Sequence, residues 1–106
     1  GYDSSAIVYY LKKTGYLPDT FTIGFEDWEN SEHFYAEKIA KHLSVPLHSL
    51  IVKNENYALL DIMPDVYDEP IADISIIPTW LVCNCAAKKV KAVMSGEGAD
   101  EIFVGY

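Results

Sequence analysis

Two short runs constrain this chain more than anything else in it. Thr20-Phe21-Thr22-Ile23-Gly24-Phe25 and Leu47-His48-Ser49-Leu50-Ile51-Val52 are dense in β-branched and aromatic side chains, and both read as strands. Between them Phe34, Tyr35, Ile39 and Leu43 recur at helical spacing, after a candidate cap at Asn30 or Ser31 and before the helix-breaking Pro46. A helix between two strands makes a crossover, and a crossover makes the strands parallel. The rest of the chain continues the alternation. A helical pattern runs from about Ser4 to Lys13, with Gly15 as its stop, and Pro18-Asp19 forms a turn. Asn54-Glu55-Asn56 opens a short helix through Leu59, Leu60, Ile62 and Met63, which Pro64 offsets and which ends near Tyr67. Ser75 is a cap candidate for a further helix with Pro78 in its first turn, Lys91-Ala92-Val93-Met94 reads as a short apolar strand, and a last helix starts at Asp100 or Glu101. The expected order is α-β-α-β-α-α-β-α. That is an α/β, Rossmann-like, doubly wound parallel sheet with helices on both faces, here incomplete.

In such a sheet ligands bind at the carboxyl ends of the strands, in the turns that lead into helices. Two turns of this chain have the right residues. Gly1-Tyr2-Asp3-Ser4-Ser5 precedes the first helical pattern, and Ser95-Gly96-Glu97-Gly98-Ala99-Asp100-Glu101 follows the last strand pattern. Small residues let a phosphate approach the amides of a helix start, and Gly1, Gly96 and Gly98 permit close approach or positive φ. Asp3 and Asp100 are then placed to share a hard cation with that phosphate. Each carboxylate also has a plain structural role open to it. Asp3 can serve as a helix N-cap, Asp100 and Glu101 can complement a helix dipole, and Glu97 can be a solvated loop acid. Asp68, Glu69 and Asp73 read first as a solvated acidic loop. A parallel sheet would place a buried strand directly before the first turn, and none is present, so the chain reads as an internal fragment of one domain.

Charge excludes one large class. Sixteen acidic residues against eight lysines and no arginine give a net charge of −8, the opposite of a nucleic-acid footprint. Any bound polyphosphate must therefore be neutralised by metal, by backbone amides or by the few lysines. No apolar run approaches the roughly 18 residues of a membrane span. Cys83 and Cys85, two apart on a helical pattern, fall on different faces and read as unpaired thiols suited to a reducing cytosol, which places the protein in the cytoplasm. His33, His42 and His48 have no metal-ligand spacing and read as surface residues or partners of nearby acids.

Taken together, the turns resemble a known family. Gly1-Tyr2-Asp3-Ser4-Ser5 is similar to the tail of the Ser-Gly-Gly-x-Asp-Ser loop of the N-type ATP pyrophosphatases. Ser95 to Tyr106 resembles the Ser-Gly-(Glu/Asp)-Gly-x-Asp-Glu-x-Phe-x-Gly-Tyr stretch of the asparagine synthetase family. Asp68-Glu69-Pro70 through Ile77-Pro78-Thr79 and the strand Thr20–Phe25 are similar to further segments of that family, in the same order. The resemblance implies a synthetase domain in which aspartate attacks the α-phosphate of ATP, giving β-aspartyl-AMP and pyrophosphate, and ammonia from a separate glutaminase domain of the parent chain displaces AMP. It implies Asp3 and Asp100 as magnesium ligands. Gly1, Ser4 and Ser5 would lie on the phosphates, Ile23, Ser95 and Gly96 along the adenosine, and Glu97, with Asp100, in the catalytic steps. The implied partners are small molecules (ATP, aspartate or a similar acid, ammonia) and the glutaminase domain, with neither nucleic acid nor membrane; a homodimer stays open.

Some parts of the family pattern are not in this sequence. The first residues of the nucleotide loop and the glutaminase domain are absent, so the fragment alone is expected to be inactive. Asp73-Ile74-Ser75-Ile76 lacks the arginine that some asparagine synthetases carry near this point, which leaves the acceptor acid open. Relatives that close β-lactam rings or amidate other acids share these loops. A non-catalytic nucleotide-binding module is the reading from a different class, and a thiolation or guanylate-amidating pyrophosphatase would carry a different final loop.

Overall fold

A computed structural model describes residues 1–26, 32–53, 56–73, 75–103 and 105. Helix α1 spans Tyr2–Lys13, strand β1 Thr20–Phe25, helix α2 His33–Leu43 and strand β2 Leu47–Val52; a 3-10 helix over Asn56–Ile62 leads into α3, Met63–Val66, followed by α4, Ile76–Ala87, and α5, Ala99–Phe103. Both strands lie where the side-chain pattern places them. They pair in parallel, with Thr20 opposite Leu47 and Phe25 opposite Val52. The ladder runs slightly past both ends: the Thr20 amide donates to the Pro46 carbonyl at 3.0 Å and the Glu26 amide to the Val52 carbonyl at 3.1 Å. The architecture among the described residues is α/β with a two-stranded parallel sheet.

Residues of β1 are covered on both sides, with none exposed, as a parallel strand requires. Helices α2 and α4 pack on β1, α2 also contacts β2, and α1 packs on α2. The buried apolar core is thin and made of small or slender side chains, Ala40, Val45, Val52, Met63 and Ala86. Local chemistry closes the helices. After α1 the Gly15 amide reaches the Lys12 carbonyl at 2.9 Å and the Tyr16 amide the Leu11 carbonyl at 3.2 Å, with Gly15 at φ +87°, the glycine stop expected there. After α2 the same left-handed turn falls on Ser44, φ +52°. The Lys12 ammonium donates to the Leu43 carbonyl, so α1 supplies a donor to the carbonyl end of α2.

Four expectations need correction. Lys91–Met94 is not a strand: it is extended but unpaired, with Val93 and Met94 exposed, because β1 and β2 pair only with each other and no described backbone offers it a ladder. Helix α1 starts two residues early, capped by Gly1 without a side-chain bond, so Asp3 sits inside the first turn and is not the N-cap. On α2 the buried residues are His33 and Ala40, Ile39 and Leu43 are half-buried as their spacing suggests, and Phe34 and Tyr35 are exposed. His33 is thus a core residue and not a surface one. His48 does meet an acid, with Nε2 2.7 Å from Asp19 Oδ1, and its ring stacks on Phe21. The candidate caps Asn30 and Ser31, and the helix start at Asn54 and Glu55, lie outside the described residues. Ser75 stands at the N-cap of α4, yet its hydroxyl makes no cap bond. Pro64 lies in the first turn of α3, where its missing amide costs nothing.

Candidate functional site

The site is built on the first turn of α1. The amides of Tyr2, Asp3 and Ser4 point out of the helix start, where geometry gives them no intrahelical acceptor. The Ser5 amide, at 3.3 Å, and the Ser5 hydroxyl, at 2.9 Å, both donate to the Gly1 carbonyl. Asp3 is exposed beside the positive end of the helix dipole.

Against this turn lies the second loop. A Cβ placed on Gly96 would stand 2.9 Å from Asp3 Cβ and Ser4 Oγ and 3.0 Å from the Ser4 amide nitrogen. A glycine fits there without displacing a neighbour, and it brings the last loop against the first turn of α1. The loop holds its own shape. The Glu97 amide donates to Ser95 Oγ at 3.2 Å, the Ala99 amide to the Gly96 carbonyl at 3.2 Å, and Gly98 takes φ +82°. Helix α5 follows, with Asp100 and Glu101 in its first turn. The Asp100 carboxylate folds back on Gly105, whose amide donates to the Asp100 carbonyl at 3.1 Å.

Two cavities flank the first turn. One, of about 600 Å³, has Asp3, Ser95, Gly96 and Glu97 at its rim and Ile7, Tyr10, Met94, Ile102 and Phe103 along its wall. The other, of about 510 Å³, takes Gly1, Ser4 and Ser5 on one side, Thr20, Phe21 and Thr22 of β1 below, and Tyr35 and Ala36 of α2 above. Sequence reasoning did not single out Thr20, Thr22 or Tyr35. The period-two alternation of β1, which puts Thr20, Thr22 and Gly24 on one face, was the available signal. Ile23 and Asp100 line neither cavity. Ile23 pairs with Leu50 on the other face of the sheet.

Among the described residues no group of three or more His, Cys, Asp and Glu side chains is gathered to cage a metal. The donors that are present suit a different arrangement. Asp3 and Asp100 are exposed carboxylates on two elements, and magnesium takes one or two carboxylates and completes its shell with phosphate oxygens and water. Gly96 keeps the space over the Ser4 amide that a Cβ would fill. Cys83 and Cys85 are free thiols of α4. No helix among the described residues is long and apolar enough to cross a membrane.

Comparison with known families puts these loops in context. The asparagine synthase family model matches residues 1–106. The chain belongs to the asparagine synthase family. Among the relatives of this synthase segment, "Asparagine synthetase (glutamine-hydrolyzing) 1" of Bacillus subtilis (strain 168) is 38% identical over 109 aligned positions, covering 100% of this chain and 17% of that protein. "Putative asparagine synthetase (glutamine-hydrolyzing) 2" of Methanocaldococcus jannaschii is 36% identical over 109 positions, covering 100% of this chain and 21% of its own length. A similarly named protein of Mycobacterium bovis is 36% identical, again over 100% of this chain and 16% of its own. The chain thus spans about a fifth of the length of the curated relatives it matches. No solved structure matches it.

Proposed function

We propose that this chain is the nucleotide-handling segment of an asparagine-synthetase-like domain within a longer protein, in which a glutaminase domain supplies ammonia. The observation that carries this reading is the seating of Gly96 on Asp3 and Ser4, which joins the two loops the chemistry needs. Family membership and the glutamine-hydrolyzing relatives support it. The reaction is the ATP-dependent conversion of aspartate, or a similar acid, to its amide, with AMP and pyrophosphate as products. The complete domain is a doubly wound sheet in which 91–94 finds a partner strand.

The residues divide the work. The amides of the first turn of α1 and the Ser4 and Ser5 hydroxyls bind phosphate oxygens; Ser5 must first release the Gly1 carbonyl it now contacts. Asp3 and Asp100 would hold magnesium, which when bound stabilises the charge gathering on the departing pyrophosphate. The β1 backbone at Ile23, together with Ser95 and Gly96, borders the adenosine. The substrate carboxylate attacks the α-phosphorus, and the bond to pyrophosphate breaks. Ammonia then attacks the activated carbonyl, AMP leaves, and Glu97, exposed at the cavity rim, accepts the proton.

The test is exchange of labelled pyrophosphate into ATP by the full-length protein, with aspartate present. Asp3→Ala and Asp100→Ala are each expected to lower it by at least about a hundredfold. Exchange that survives both substitutions overturns the reading. A second reading, a nucleotide-binding module without catalysis, is favoured by the position of Asp100 outside both cavities. It predicts ATP binding with no AMP formed with any acid tried.

A further inference from the structure

Asp3 and Asp100 each lie against a glycine of the last loop, and the two contacts differ in kind. At Gly96 a Cβ would stand 2.9 Å from Asp3 Cβ and 3.0 Å from the Ser4 amide nitrogen, atoms that no side-chain rotation can move. At Gly105 a Cβ would overlap Asp100 Oδ1 and stand 2.7 Å from its Cγ. Those atoms are the far end of a side chain, and they turn with χ1. Gly105 does not take a positive φ, and its amide closes the turn on the Asp100 carbonyl at 3.1 Å. Its own backbone therefore does not call for glycine. The space of a side chain at 105 is filled by the Asp100 carboxylate instead. That place is off the site. Glu97, Gly98 and Ala99, the three residues before Asp100, line the 600 Å³ cavity together with Asp3, and Asp100 does not.

Charge gives a reason for the displacement. Asp3 and Glu97 already put two carboxylates at the cavity, in a chain of net charge −8 without an arginine. A third carboxylate facing them is repelled until a cation stands between. Resting on theibackbone at Gly105 avoids that repulsion. We infer, on the nucleotide reading above, that the Asp100 carboxylate is parked on Gly105 while no cation is present and turns off it to meet magnesium, and that Gly105 is the positioning residue which sets how readily it turns. A parked majority lowers the apparent affinity for the metal by the fraction that is not parked. A methyl group at 105 takes the parking place away, and its main cost is the rotation of Asp100 that metal binding needs in any case.

The experiment uses the full-length protein with ATP and reads the binding of Mn2+, a stand-in with the same preference for oxygen ligands, from the electron paramagnetic resonance of the free ion. Gly105→Ala is expected to tighten Mn2+ binding about fivefold. Asp100→Ala is expected to weaken it about tenfold, and Gly105→Ala added to Asp100→Ala then changes nothing further, because a parking place matters only to the side chain that parks. A crystal structure of the parent with magnesium and ATP carries the test without any variant, should Gly105→Ala not fold: the Asp100 carboxylate is expected on the metal and off Gly105. Three results each overturn the parked ligand while the nucleotide reading stands. They are Mn2+ affinity unchanged or weakened in folded Gly105→Ala, the same change in both backgrounds, and a carboxylate still on Gly105 with the metal bound. Mn2+ binding and pyrophosphate exchange that both survive Asp100→Ala overturn the magnesium role of Asp100 itself, and its parking with it.

Discussion

Val52 and Val93 sit in similar apolar runs and have opposite fates. Val52 closes β2, is 7% exposed, and has its backbone in a parallel ladder with Phe25. Val93 is 57% exposed, in an extended segment with no ladder. Side-chain preference for the pleated sheet is alike in the two, so preference does not decide. Supply of a neighbouring backbone does: β1 satisfies the donors and acceptors of β2, and nothing described does the same for 91–94. The half of the molecule around β1, β2 and α2 is held by pairing and burial. The half that carries the last loop is held by turns and glycines, and it meets the first turn of α1 at Gly96.

The sharpest way to break that second half is to attack the seat of Gly96 on α1. Gly96→Val places side-chain carbons where Asp3 Cβ and Ser4 Oγ already are. Separation of the loops by an ångström or more is expected to reduce pyrophosphate exchange by the full-length protein about a hundredfold. Because the loop is exposed, the unfolding midpoint should move little. A variant that keeps full exchange would show that the loops do not work as one site.

Equal deletions at the two valines come next in size. Val52→Ala removes buried methyl groups and is expected to cost about 2 kcal/mol in urea unfolding, while Val93→Ala in this chain should cost less than about 0.5 kcal/mol. The same pair in the full-length protein sharpens the contrast. If a doubly wound sheet gives 91–94 a neighbour there, Val93→Ala becomes as costly as Val52→Ala. If the cost stays small, 91–94 is not a strand in the longer protein either.

The same distinction governs what could be read from sequence. β1 and β2 were legible to the residue because Pro18 and Pro46 bound them and their β-branched density is local information. The stretch 91–94 carried comparable local information, and the missing element was a partner outside it. The buried face of α2 misled because Phe34 and Tyr35 offer the larger aromatic surfaces, yet the buried residues are Ala40 and His33, the latter over Gly24. The start of α1 misled because Asp3, Ser4 and Ser5 are all good caps, while the helix reaches back to Gly1 without using a side chain. Of the candidate site, Asp3, Ser95, Gly96 and Glu97 do border one cavity, and Gly1, Ser4 and Ser5 another. Asp100 is named from the chemistry of its turn and Ile23 from the resemblance, and neither source tells which way a loop turns its carboxylate or which face a strand residue takes.

The well-packed half has a weak joint of its own. Ser44 holds a left-handed backbone, φ +52°, between α2 and β2, where its Cβ is disfavoured. Ser44→Gly is expected to stabilise the protein by about 1 kcal/mol, read as a raised urea midpoint with unchanged slope. A destabilised variant would mean that the Ser44 side chain contributes more than its backbone costs.

The smallest effect concerns order that needs neither half. Asp73 is fully exposed, yet its carboxylate Oδ1 accepts the Ser75 amide at 2.8 Å just ahead of α4. That bond, helped by a second from the Ser75 side chain, holds the Asp73 carboxyl below its ordinary value of 3.8. A lowered folded-state value means that the native state favours the ionised form. The contribution to stability is therefore complete above the unfolded-state value and is lost as pH falls through the folded one. A ¹³C titration should place the Asp73 midpoint below that of an unstructured aspartate. In Asp73→Asn, whose amide oxygen can still accept the Ser75 amide, the acid limb of the stability curve should flatten slightly while α4 is kept. A midpoint at or above the ordinary value would mean that this turn, like 91–94, waits for a neighbour before it takes its shape.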